Sequence, residues 1–458
     1  MGMLSLLLLG CQPTPDDPVE EPVWTTPAPA ELGTACGPVE APGEGRALDF
    51  DGAPPANLII ISIDTLRRDR VGRYSGGDDT PFLDSRLASG VALDDLMACA
   101  NWTLPGVFCA VTGRSMGEAG MEPIDPARLE EVGYFPEEMG TLAGWLAEAG
   151  WATALVTTSK LFSAALPTGR GYDEEVFDSD MDAAGVAQAA RTSMSSLRER
   201  TGGGPWYLQV HFRDPHGPYS PPPAYQGDLA GADLSPLDPR TSEGIQALFG
   251  ASEDETAEMV DEIEQLYAGE LRYLDDELEA LWADWEAEGA LDDTLVVFWS
   301  DHGEQFFEHG GFQHGTSMHQ EETRAIGGFW AKNLTPLAHG APSMLTDIPA
   351  TLLDLYGIGP DASISGVPLG ALGDGRARGT VARDKALMPL LSVDRGGHRL
   401  LYGWDGARAY YQTPDDPLER TDRYDSEDAE VGCLWEVMLP LIETIDDAVI
   451  GPPVQPGP

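Results

Sequence analysis

Four of the chain's eight histidines fall between His302 and His319, in the segment SDHGEQFFEHGGFQHGTSMH. A lone histidine reads most simply as a surface or satisfied core residue. Here, however, Asp301 and His302 stand side by side directly after an apolar run, and together they offer an oxygen and a nitrogen to one divalent ion. Asp64, which ends a second apolar run, supplies another hard oxygen. Thr103, in Asn101-Trp102-Thr103-Leu104-Pro105-Gly106, precedes a short helical pattern. Its simplest role is an N-cap, yet a hydroxyl at a helix N-terminus also sits where the dipole and unpaired N–H groups favour an anion. With a metal beside it to lower its pKa, that hydroxyl can attack sulfur or phosphorus. His216, in Arg213-Asp214-Pro215-His216-Gly217-Pro218-Tyr219, reads as a turn residue in a rigid loop, or as an anion clamp or general acid aimed at the same cavity.

The elements that must carry these residues are legible as well. Asn57 to Ile63 (NLIIISI) is a continuous branched apolar run of strand length, as expected of a strand covered on both faces. Ala152 to Thr157, Trp206 to Phe212 and Thr294 to Ser300 are similar. Between them lie helical patterns, including Met139 to Ala149 and a long acidic amphipathic stretch from about Glu253 to Glu288. Alternating strands and helices predict an α/β fold, a mostly parallel central sheet sandwiched by helices. In such sheets functional groups gather beyond the carboxyl ends of the strands, which is where Asp64 and Asp301 fall. After about residue 340 the pattern changes to a helix, Met344 to Tyr356, and then to loops and short strand-like pieces such as His398 to Trp404. The expected division is therefore a catalytic domain over 57–340 and a smaller C-terminal α+β subdomain over 341–458.

The bulk composition sets limits. The chain has 458 residues, more than one core usually fills, and at 42% hydrophobic and 8% aromatic it can bury a real core. Its 77 acidic against 27 basic residues give a formal net charge of -50, which excludes nucleic acid as a partner. A site for sulfate or phosphate on such a chain needs local positive charge, from a metal or from the few cations. Most of the acidic excess reads as a heavily solvated surface.

At the N-terminus, Leu4 to Leu9 form a short apolar run ending in Gly10-Cys11, followed by a Pro-, Gly- and Glu-rich stretch. The run is too short to span a bilayer, which needs roughly 20 apolar residues. It resembles a bacterial lipoprotein signal. That resemblance implies cleavage after residue 10, lipid on Cys11 as the only membrane attachment, a tether over 11–56, and an extracytoplasmic location, periplasmic or at the cell surface. Cys36, Cys99, Cys109 and Cys433 then remain, an even number that permits disulfides without specifying pairs. No cysteine or histidine spacing suggests a structural zinc site.

Taken together, the segments NLIIISIDTLRRDRVGRY, TPFLDSRLASGVALDD, WTLPGVFCAVTGR, VHFRDPHGPY, VVFWSDHGEQFFEHGGFQHGTSMHQEETRAIGGF, LTDIPATLLDLYGI and YYQTPDDPLERTDRYDSED resemble, in order, the sulfatase family of the alkaline-phosphatase superfamily. The likeness covers roughly residues 57 to 428. It implies that Asp64, Asp301 and His302 bind one divalent metal ion, with Thr65 where many members place a second acidic ligand. Thr103 takes the nucleophile position, and His216 and His314 fall where the family contacts the substrate oxyanion and leaving group. Lys160 stands near the place of the family's active-site lysine, without its usual companion histidine. Calcium, magnesium, manganese and zinc all suit such ligands.

The departures from the family are informative. Sulfatases carry Cys or Ser in a C/S-x-P-x-R motif that is oxidised to formylglycine, whereas this chain reads Thr103-Leu104-Pro105-Gly106-Val107, so no formylglycine forms and the supporting arginine is Val107. The resemblance thus predicts a metal-dependent hydrolase of sulfate or phosphate esters at the cell envelope, acting on a small-molecule, glycan or lipid ester. Two other readings stand beside it. One is a phosphoryl-group transferase or phosphodiesterase of the same superfamily, whose members use threonine. The other is a catalytically inactive binding protein on the sulfatase scaffold.

Overall fold

The computed structural model describes residues 48–116, 139–162, 166–359, 364–373, 375–383, 388–403, 406–426 and 428–449. The expected signal segment, Cys11 and the tether up to residue 47 lie outside them. The four long apolar runs become strands at Asn57–Ile63, Ala152–Thr157, Trp206–Phe212 and Thr294–Ser300. They are neighbours in an eight-stranded sheet. Asn57–Ile63 sits at its centre, parallel to Trp206–Phe212 on one side and to Thr294–Ser300 on the other. Gly327–Trp330 adds an antiparallel strand beyond Thr294–Ser300, making the sheet mixed at that edge.

The continuous apolar character of Asn57–Ile63 follows from burial on both faces. Ile59, Ile61 and Ile63 enter one core, which includes Trp282 and Trp285 of the helix Glu253–Ala287. Leu58 and Ile60 enter a second core with Trp145, Val107 and Leu155. The Glu253–Ala287 helix begins in a capping box, Ser252 with Glu255, which ties down its first-turn donors. Its buried side includes Ile263, Leu266, Leu274, Leu278 and Leu281, and most of its acidic residues face away from the core, with Glu270 and Asp275 buried among the apolar ones.

The helix Asp347–Tyr356 packs Ile348, Leu352 and Leu353 into the second core of the large domain, together with Leu369 and Leu372. The change of architecture therefore falls between Leu372 and Arg378, downstream of the expected division at 340, because the apolar side of this helix packs in the large domain's core. The small unit is a four-stranded antiparallel sheet, Arg378–Arg383, Pro389–Arg395, His398–Gly403 and Arg408–Gln412, covered by the helix Ala429–Val449. Among the described residues no helix is long and apolar enough to cross a membrane.

The small unit grips the histidine-rich segment. Arg399, fully buried, donates to the carbonyl of Met318 and to Thr323 Oγ1 at 2.5 Å. Glu419 accepts from His319 Nδ1 at 2.8 Å and from the Gln320 N–H at 3.1 Å. The rings of His309 and His319 stack at 3.6 Å, and His309 places Nδ1 on Glu321 and Nε2 on the Glu419 carbonyl.

Candidate active site

The register of two strands creates the site. Ile63 lies opposite Ser300 in the parallel pair, so Asp64 and Asp301 leave the same edge of the sheet together. Asp301 Oδ1 accepts the backbone N–H of Thr65 at 3.2 Å and that of His302 at 2.9 Å. Its Oδ2 is buried with no hydrogen-bond partner. His302 Nδ1 donates to the Gly303 carbonyl at 2.8 Å, which leaves the lone pair on Nε2. That nitrogen lies 3.5 Å from Asp64 Oδ1 and 3.5 Å from Asp301 Oδ2. Three potential ligand atoms thus converge in a buried space.

The charges agree with that geometry. Burial, reinforced by the charge of Asp64, pushes the Asp301 carboxyl far above the usual carboxylate range. Burial acts in the same direction on Asp64, but the neighbouring His216, His211 and His302 rings outweigh it and hold Asp64 low. Burial, with His314 nearby, takes His302 down to about 3, so its ring is neutral. Asp64, Asp301 and His302 each offer one ligand atom, all within 4.8 Å of one another. An unpartnered buried oxygen, a second carboxylate and a neutral imidazole nitrogen fit a divalent cation, which would neutralise the pair that otherwise repels.

Thr103 belongs to this cluster. Its Oγ1 lies 3.2 Å from His302 Nε2 and 3.4 Å from Asp64 Oδ1. It is the first residue of the helix Thr103–Thr112 rather than the cap, because Trp102 holds the extended N-cap conformation and no side chain caps the end. The N-cap role is therefore ruled out, and the hydroxyl is turned to His302 and Asp64 instead. The helix comes this close to Asp301 because residue 106 is glycine. A Cβ there would lie 2.6 Å from the Asp301 carbonyl oxygen. A disulfide, Cys99–Cys109, staples the two ends of the segment that holds Thr103.

Thr65 also sits here, with a buried hydroxyl that has no partner. Its φ of 53° is rare for a β-branched residue, and is held by its N–H on Asp301 and by the Tyr267 hydroxyl donating to its carbonyl at 2.8 Å. His216 is half-buried, with Nδ1 donating to the Gly217 carbonyl at 2.6 Å. Burial pushes its pKa down. The His314 ring lies between its neighbours, 5.0 Å from that of His216 and 4.6 Å from that of His302. Lys160, by contrast, is exposed, on the short turn Lys160–Phe162 that follows the Ala152–Thr157 strand.

Sequence reasoning missed two members. Glu304 is fully buried and meets His314 Nδ1 at 2.8 Å. His211, also fully buried, has Nε2 3.8 Å from Asp64 Oδ2 and Nδ1 2.9 Å from Ser62 Oγ. Behind it a polar chain continues, with Gln209 donating to Ser62 and Tyr207 donating to Gln209. The available signal was Gln209 and His211 alternating within a strand otherwise read as apolar core.

Comparison with known proteins gives a consistent picture. The model of the sulfatase family matches residues 56–358. A choline-sulfatase of Rhizobium meliloti (strain 1021) is 24% identical over 269 residues, 55% of this chain. The match spans 51% of that relative, about half its length. Among solved structures, BT4656 in complex with its substrate D-glucosamine-2-N,6-O-disulfate superposes with a TM-score of 0.69 at 17% identity, covering 86% of this chain and 99% of the other. A phosphonate monoester hydrolase of Agrobacterium radiobacter gives 0.62 at 16% identity, covering 86% and 96%.

Proposed function

The chain belongs to the sulfatase family, and on that premise we propose that it is a metal-dependent hydrolase of sulfate or phosphate-type esters with Thr103 as its nucleophile. One observation carries the reading: among the described residues the Thr103 hydroxyl lies 3.2 Å from His302 Nε2 and 3.4 Å from Asp64 Oδ1, two members of the cation-ready group. A divalent cation bound by Asp64, Asp301 and His302 supplies charge neutralisation and makes a nearby hydroxyl more acidic.

The rest falls to the chain's own side chains. Asp64 and His302 place the cation site beside the Thr103 hydroxyl at the helix end, where positive dipole favours the incoming anion. Thr103 gives up its hydroxyl proton to solvent as Oγ forms a bond to sulfur or phosphorus and the bond to the leaving oxygen breaks. His314 or His216 delivers a proton to that oxygen. Water then cleaves the bond to Thr103, restoring the hydroxyl and releasing the inorganic anion.

A phosphorus-centred ester is a specific second reading, favoured by an alcohol nucleophile in place of formylglycine and by the likeness to a phosphonate monoester hydrolase. We place the protein at the cell envelope, held by lipid on Cys11. The Leu4 to Cys11 pattern and the Cys99–Cys109 disulfide support an oxidising compartment.

The test is initial-rate hydrolysis of matched aryl sulfate, phosphate monoester and phosphate diester after chelation, with calcium, magnesium, manganese or zinc restored. One ester should turn over only with metal. Thr103→Ala should lower kcat by at least about 10³-fold, while Thr103→Ser keeps most of it. Turnover that survives Thr103→Ala removes Thr103 from the role. Tight metal binding without turnover of any ester points to the binding-protein reading.

A further inference from the structure

Glu304 has no part in the cation site, yet it is wholly buried next to it. Its two oxygens are both engaged: Oε1 meets His314 Nδ1 at 2.8 Å, and Oε2 accepts the Tyr219 hydroxyl at 3.0 Å. Tyr219, itself fully buried, ends the loop that carries His216. His314 follows the short strand Phe312–Gln313, which pairs with Gln305–Phe306 immediately after Glu304. One carboxylate therefore joins the two loops that bear the two proton-donor candidates. A carboxylate behind an imidazole nitrogen is the standard device for fixing the plane and tautomer of a working histidine ring.

We propose that Glu304 is the positioning residue for His314. Resting on the ester-hydrolase reading above, it assigns the leaving-group contact to His314, whose Nδ1 proton is committed to Glu304 so that exchange with substrate runs through Nε2. Tyr219 holds the carboxylate in place, and so couples the ring's orientation to the His216 loop. His216 has only the neutral Gly217 carbonyl behind its Nδ1, which orients it without fixing it to a second loop.

The closing experiment has two arms. In the first, Glu304→Leu, Glu304→Gln and Tyr219→Phe are measured alone and in a His314→Ala background, using the full chain with metal. Glu304→Leu should lower kcat on the order of 10–100-fold with KM changed little, while Glu304→Gln, whose amide oxygen can still accept from Nδ1–H, retains most of kcat. Tyr219→Phe should lose severalfold. All of these losses should vanish when His314 is already alanine. A purely structural role would cost as much in both backgrounds and would overturn the proposal.

In the second arm, histidine-selective ¹⁵N labelling follows the His314 Nδ1–H proton. It should be shifted downfield and slow to exchange in the unmodified protein and in Glu304→Gln, and lost in Glu304→Leu. If Glu304→Leu does not fold, Tyr219→Phe should broaden or shift the same signal. Survival of an unchanged signal in these variants refutes the assignment. This arm needs no turnover, so a failure of the hydrolase reading shows as inactivity of the unmodified protein and stays separate from a failure of the positioning role.

Discussion

Replacing Asp301 by asparagine should reverse its effect on stability according to whether metal is present. Asparagine keeps the Oδ1 acceptor used by the Thr65 and His302 N–H groups, and removes the charge on a carboxylate whose Oδ2 is buried and unpartnered. Because folding raises the Asp301 pKa, its contribution is most favourable below the unfolded value near 3.8 and is lost as pH rises through the elevated folded value. At pH 7 in chelator, asparagine should therefore stabilise the protein by about 1–3 kcal/mol, the cost of an uncompensated buried polar or charged group. With metal at about a thousand times Kd the unmodified protein gains about 4 kcal/mol. If loss of one charged ligand weakens binding about 100-fold, the variant forfeits about 2.7 kcal/mol of that. The curves should cross, with the variant melting higher in chelator and lower in metal. About 2–4 °C per kcal/mol applies to domains of 150–250 residues and less to a longer chain, so differences of a few degrees are expected. Thermal and urea unfolding followed by tryptophan fluorescence, with and without metal, would read both. Equal destabilisation in both conditions would refute a cation-binding carboxylate and make Asp301 an ordinary structural anchor for the Thr65 turn.

Three further outcomes follow from other parts of the molecule. Converting both Cys99 and Cys109 to serine should cost about 2.7 kcal/mol, the loop-closure entropy for a separation of 10 residues, and should lower kcat by freeing the Thr103 segment; unchanged unfolding and turnover would show that packing alone holds it. Burial pushes the Glu322 carboxyl up to about 8, so its contribution is complete below the unfolded value of 4.5 and is lost as pH rises through 8, at up to about 1.4 kcal/mol per pH unit. Urea midpoints should fall across that window, and Glu322→Gln should flatten the fall. Both ring nitrogens of His309 face acceptors, so the ring is an imidazolium; burial opposes the charge, but Glu321 and Glu419 outweigh burial and raise its pKa. Its contribution is full below the ordinary value near 6.5 and lost above the raised one, so the Glu419 loop should become protease-sensitive at alkaline pH, and His309→Gln should be sensitive at every pH.

What the sequence disclosed, it disclosed through period and burial. Asn57–Ile63, Ala152–Thr157, Trp206–Phe212 and Thr294–Ser300 stand at the bounds expected from their apolar runs, because a strand covered on both faces is built mostly from apolar residues. Asp64 and Asp301 were visible for the same reason, as the first charged residues after such runs. Thr103 as an N-cap was not sound. Local propensity favours Thr before Leu-Pro as a cap, but the tertiary pull of His302 and Asp64 moved the boundary back to Trp102. Glu304 and His211 were illegible as site residues, since their roles depend on which loops and strands meet. Glu304 reads as one acid among 77, and only the fold shows it sealed between Tyr219 and His314.

The overall charge gives the cation site a second role. A chain at -50 repels an anionic ester at long range, and the cluster adds two carboxylates at the point where the ester must bind. The family's arginine cannot offset this, because Val107 holds its place, fully buried in apolar core. On the proposed reading, positive potential at Thr103 would come from the helix end and from a cation held by Asp64, Asp301 and His302, with Arg213, which donates to the Gly217 carbonyl, beside His216. Of these the cation carries the largest charge, and only it reverses the sign at Asp64 and Asp301. On the proposed reading the cation that prepares the hydroxyl would also admit the ester, so removing metal should abolish binding and chemistry together rather than slow one of them.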